Sequence, residues 1–75
     1  LYESLRALRK RLADEENVPP FFIFSDASLV EMVSLRPKDE QAFLMINGVG
    51  QRKLASYGAI FLEAISSEYE SLQTA

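Results

Sequence analysis

The chain has 75 residues, of which 48% are hydrophobic, and a net charge of −3. A chain this short supports one small domain with a single core. It contains no cysteine and no histidine, which excludes a disulfide framework, a zinc site, histidine acid–base catalysis and a cysteine nucleophile. No apolar run approaches the roughly 20 residues that span a bilayer, and no signal peptide is visible. The chain opens on Leu1 rather than Met, so residues 1–75 are read as one domain cut from a longer protein. The negative total charge argues at first sight against nucleic acid, but the charges are unevenly spread. All 8 basic residues lie between Arg6 and Lys53, and none follows Leu54.

Leu1, Leu5, Leu8 and Leu12 recur at helical spacing and predict an amphipathic first helix. Its end carries Asp14-Glu15-Glu16, unfavourable against the helix dipole, with Arg9, Lys10 and Arg11 placed to offset part of that cost. Asn17 suits a stop, and Pro19-Pro20 prevents continuation. The next stretch, Asn17-Val18-Pro19-Pro20-Phe21-Phe22-Ile23-Phe24, is too short for a stable helix and does not alternate. It predicts an extended or single-turn connector, anchored in the core by Val18, Ile23 and Phe24.

Ser25-Asp26 offers N-cap chemistry for a second helix carrying Leu29, Met32 and Val33, closed by Leu35-Arg36-Pro37. Asp39 is a second N-cap candidate, opening a short helix with Phe43, Leu44 and Ile46. Asn47-Gly48-Val49-Gly50 is a sharp turn signal. A fourth helix is expected from Gln51 to Tyr57 with Gly58 as its C-cap, and a fifth from Ala59, with Phe61, Ile65, Tyr69 and Leu72 on one stripe. The fold class is all-α: a bundle of five short helices around one core.

Three stretches offer binding chemistry. In the first helix Arg6, Arg9 and Lys10 share a face at spacings of three and four, a pattern that is more often simple solvation. In the connector, Phe21 follows the stiff proline pair and is the ring expected at the surface. Beside cations it would suit single-stranded nucleic acid, a base stacking on the ring while phosphates meet the charges. Half-burial of Phe21 fits the periodicity equally well. The third is Gly48-Val49-Gly50-Gln51-Arg52-Lys53, which resembles a helix-hairpin-helix turn. Glycines Gly48 and Gly50 would let backbone N–H groups face a phosphate, with Arg52 and Lys53 beside it. The same residues also suit a plain tight turn packed through Val49. The carboxylate pairs Asp26/Glu31 and Asp39/Glu40 read as caps and surface acids, so no catalytic residue is assigned.

Taken in order, "LRALRKRLADEENVPPFFIFSDASLVEM", then "RP", then "INGVGQRKLASYGAIFLEAI" resembles the helicase-and-RNase-D C-terminal (HRDC) domain over about residues 1–65. The Val-Pro-Pro-aromatic segment and Asn-Gly-Val-Gly-Gln-Arg-Lys-Leu look most like the copy in bacterial RecQ DNA helicases. The resemblance implies a non-enzymatic accessory module that binds single-stranded or structured DNA for an ATP-dependent 3′-to-5′ helicase. It implies contacts through Phe21, where relatives often carry Tyr, with Arg9 and Lys10 as neighbouring cations. It implies no cofactor in this domain, ATP and Mg2+ in the parent, and a cytoplasmic, nucleoid-associated bacterial location. A monomer is expected, with the helicase core as a further partner and no membrane. Two alternatives stand: a module that docks on the core or another protein, and the accessory domain of a ribonuclease D-like exonuclease.

Overall fold

A computed structural model describes the backbone of residues 1–74 and the side chains of residues 1–67. The described backbone is helical and turn, without strands. Helix α1 spans Tyr2–Glu16, and a single 3₁₀ turn spans Pro20–Phe22. Helices α2 (Asp26–Leu35) and α3 (Glu40–Leu44) follow, then α4 (Gln51–Lys53) and α5 (Ala59–Thr74). Among these helices none is long and apolar enough to cross a membrane.

The capping residues act where the sequence puts them. Asn17 takes the left-handed conformation (φ 60°), and the Val18 amide donates to the Ala13 carbonyl at 3.0 Å. That bond, with the Asn17 amide on Asp14, satisfies carbonyls that the last turn leaves open. Ser25 Oγ accepts from the Ser28 amide at 3.1 Å, and Asp39 Oδ1 accepts from the Ala42 amide at 2.8 Å. At the end of α2 Arg36 is left-handed (φ 46°), its amide donating to Met32, before Pro37 forbids another turn.

Two expectations are corrected. The buried line of α1 is Leu5, Arg9 and Ala13, four residues apart, while Leu1, Leu8 and Leu12 flank it and are only partly buried. A leucine count therefore misplaces the inner face by about one position. At the other end of the chain, Gly58 is not a C-cap. Residues Leu54–Gly58 form a π turn, and helical conformation continues through Ala59 (φ −60°), so α4 and α5 run on without a break. A Cβ at Gly58 would come within 2.5 Å of Leu54 Cδ1. The glycine is there for close packing, not for a left-handed stop. Tyr69 and Leu72, assigned to the stripe of α5, have side chains outside the described residues.

The core collects Leu5, Ile23, Phe24, Leu29, Met32, Phe43, Ile46, Phe61 and Ile65, all essentially without solvent contact. Phe24 is its hub. The rings of Phe61, Phe43 and Tyr57 meet it edge-on at 4.9, 5.9 and 6.0 Å. That is the geometry aromatic quadrupoles favour. The residues joining α1 to α2 are thereby pinned at the centre of the molecule.

Candidate nucleic-acid interface

The proline connector is shaped by its own backbone. Pro19 is extended (φ −63°, ψ 149°), and Pro20 begins the 3₁₀ turn where a missing N–H costs nothing. Phe22 N–H donates to the Pro19 carbonyl and Ile23 N–H to the Pro20 carbonyl, each at 3.0 Å. Ile23 and Phe24 then plunge into the core, which leaves Phe21 and Phe22 on the outside. Phe21 is 65% exposed and Phe22 57% exposed. Their rings stack, with centroids 5.1 Å apart and planes 23° from parallel. The sequence points to Phe21 alone. Its neighbour was missed because a run of four apolar residues gives no sign of which two face water.

Beside the turn lies an open cleft of about 520 Å³, walled by Pro20 on one side and by α1 on the other. Glu3, Arg6, Ala7, Arg9, Lys10 and Asp14 complete its lining. Arg6 and Lys10 keep side chains 55% and 75% exposed. Each is loosely paired within its own helix, Arg6 with Glu3 at 3.8 Å and Lys10 with Asp14 at 3.2 Å. Exposed pairs of this kind contribute about 0–1 kcal/mol, so a phosphate can displace either acid at little cost.

Arg9 behaves differently. It is only 9% exposed, at the floor of the cleft. One terminal nitrogen donates to the Phe24 carbonyl at 3.0 Å, and the other meets Asp26 Oδ1 at 2.8 Å. Nε is buried without a partner. The guanidinium therefore ties α1 to the end of the proline connector and the start of α2. Of the three cations expected on one face of α1, Arg6 and Lys10 are presented to solvent and Arg9 is committed to the fold.

The Asn47–Gly50 hairpin is also committed largely to packing. Gly48 has φ +91°, and a Cβ there would meet Ser28 Oγ at 2.7 Å. The buried Ser28 hydroxyl donates to the Asn47 carbonyl at 2.7 Å, and the Asn47 amide donates to Glu31 Oε2 at 3.2 Å. Both backbone groups of Asn47 thus bond to α2 side chains, the amide to a carboxylate. Gly50 starts α4 with φ −108°, and a Cβ on it would meet nothing within 4 Å. Arg52 is exposed, whereas Lys53 is half-buried with Nζ 5.6 Å from the centroid of the Phe24 ring. Phe24 is therefore held from two sides, by Arg9 on its carbonyl and by Lys53 over its ring. Tyr57 closes the same region, donating its hydroxyl to Glu16 Oε1 at 2.8 Å. That bond to Glu16, with burial and the nearby negative charge, raises the phenol above its ordinary pKa.

This geometry has relatives. The ATP-dependent DNA helicase RecQ of Bacillus subtilis is 46% identical over 67 residues, which cover 89% of this chain and 11% of that protein. RecQ of Haemophilus influenzae is 43% identical over 72 residues, covering 96% of this chain and 12% of that protein. The chain thus spans about a tenth of the length of these curated relatives. Among solved structures, the D. radiodurans RecQ HRDC domain 3 superposes with a TM-score of 0.87 at 28% identity, covering 91% of this chain and 90% of that one. The HRDC domain family model matches residues 1–65, and with that span and these relatives the chain belongs to the HRDC domain family.

Proposed function

We propose that this HRDC domain is a non-catalytic accessory module of a RecQ-type ATP-dependent DNA helicase and that it holds single-stranded DNA at the proline turn. A nucleobase stacks on Phe21, and the adjoining phosphates meet Arg6 and Lys10 across the cleft. Arg9 contributes indirectly by fixing the backbone that carries Phe21. The observation that carries this reading is Phe21 itself. A large apolar ring stands 65% in water, although the residues two and three positions later are fully buried. ATP and Mg2+ act elsewhere in such a parent, whose location is proposed to be the bacterial cytoplasm. Among the described residues no three acidic side chains gather into a metal site.

The affinity of the isolated domain is low and falls with salt, because two exposed cations release few counterions. Tethered to a helicase core, the site acts at high effective concentration and needs no more. The test is a fluorescence-anisotropy titration of an oligo-dT strand at low salt. Phe21→Ala weakens binding by about 1–3 kcal/mol if a base stacks there. Unchanged affinity in a folded Phe21→Ala protein would end the proposal. A protein-docking module is the second reading, favoured by Val30, Leu35 and Met45, which stand more than half exposed on α2 and just after α3. It predicts chemical-shift changes on adding the helicase core and none on adding DNA.

A further inference from the structure

The Phe21–Phe22 stack constrains how a base could bind. The centroids are 5.1 Å apart. A base slipped between two rings needs about 7 Å, twice the 3.4 Å stacking rise of nucleic acid. The gap between these rings is closed to a ligand. Phe22 lies against one face of Phe21 in an offset stack, and the opposite face is the one left open to a base. Among the described residues Phe22 is also the one aromatic neighbour that Phe21 has. The turn's two 3.0 Å backbone bonds fix the Cα positions of both residues, but not the χ angles of an exposed ring. Stacking on Phe22 supplies that restraint.

We infer that Phe22 is a positioning residue of the base platform: its ring backs Phe21, orders it before DNA arrives, and leaves a single face for one nucleobase. This rests on the proposed reading of Phe21. It also accounts for a second large ring left 57% exposed, which the core does not require. Ordering the ring beforehand removes an entropy loss that binding would otherwise incur.

The test compares Phe22→Ala, Phe22→Leu and Phe22→Tyr with Phe21→Ala. The probe is an oligo-dT strand carrying one 2-aminopurine, whose fluorescence is quenched on stacking. Phe22→Ala and Phe22→Leu should weaken binding by about two- to tenfold, the equivalent of one aromatic pair, and reduce the quench. Phe22→Tyr, which keeps the ring, should restore both. The unfolding midpoint should fall only slightly across the set, by no more than the loss of one exposed aromatic pair, because neither ring is part of the core. Phe22→Leu binding and quenching like the parent protein, or Phe22→Tyr no better than Phe22→Leu, overturns the inference. If Phe21→Ala is also without effect, the base-platform reading has failed. If Phe21→Ala alone weakens binding, only the role of Phe22 has failed.

Discussion

The proline turn and the Asn47–Gly50 hairpin are both tight reversals between helices, and both carry chemistry that could meet DNA. They differ in where their bonding groups go. The proline turn satisfies its backbone within itself, through Phe22 to Pro19 and Ile23 to Pro20, and sends two rings outward. The hairpin closes on itself through one bond, the Val49 amide on the Ile46 carbonyl. It is otherwise held by α2, with Ser28 and Glu31 bonding the Asn47 carbonyl and amide, while Lys53 folds back over Phe24. The two rings of the proline turn stay outside the fold's own bonding, whereas the Asn47 peptide groups and Lys53 are engaged with α2 and Phe24. The same contrast separates Lys10 from Arg9 one position away. The ammonium is solvated, and the guanidinium is spent on a core carbonyl.

The largest expected effect comes from the residue on which both regions depend. Phe24→Ala removes the hub of the aromatic cluster and should cost about 3–5 kcal/mol of stability in chemical denaturation, degrading both turns together. Loss of one turn with the other intact would show that Phe24 does not join them. The hairpin glycines sharpen the contrast further. Gly48→Ala forces a side chain into a left-handed conformation and against Ser28 Oγ, and should cost about 1–2 kcal/mol or more. Gly50→Ala meets open space and should stay within about 0.5 kcal/mol of the parent.

Smaller effects belong to the surface cations. Arg6→Ala or Lys10→Ala should leave the unfolding midpoint nearly unchanged. Each should flatten the dependence of log K on log salt by about 0.7, the value for one lost single-strand phosphate contact. Tyr57→Phe deletes the bond to Glu16 and should cost at most about 1 kcal/mol. Because the folded state raises the Tyr57 pKa, this contribution is complete below the unfolded value near 10 and is lost as pH rises through the folded one. The difference in stability between Tyr57→Phe and the parent should therefore be constant around neutrality and shrink above about pH 10.

Much of the fold was legible in the sequence because its signals are local. Ser25 and Asp39 cap by bonding residues three positions away, and Asn17 and Pro37 stop helices through their own backbone preferences. Exposure of Phe21 was legible only as one of two outcomes, since it depends on which way a three-residue turn rolls over the core. Arg9 was not legible as an interior residue. Its burial is explained by a carbonyl 15 positions away and by Asp26, neither of which helical spacing reveals. Gly58 was misread for a related reason. A glycine after seven helical residues looks like a stop, and only the approach of Leu54 shows that it relieves crowding inside a continuing helix. Chain-local chemistry can be read from the order of residues, whereas long-range commitments of a polar side chain cannot.

On the proposed reading, water-facing rings at the diproline, rather than the glycine hairpin, form the surface that meets a DNA strand. An amide chemical-shift titration of the domain with oligo-dT at low salt tests it most directly. Shifts should concentrate at residues 6–10 and 21–23, with residues 47–53 nearly still. Shifts centred on the hairpin, or none anywhere at saturating strand, would contradict it.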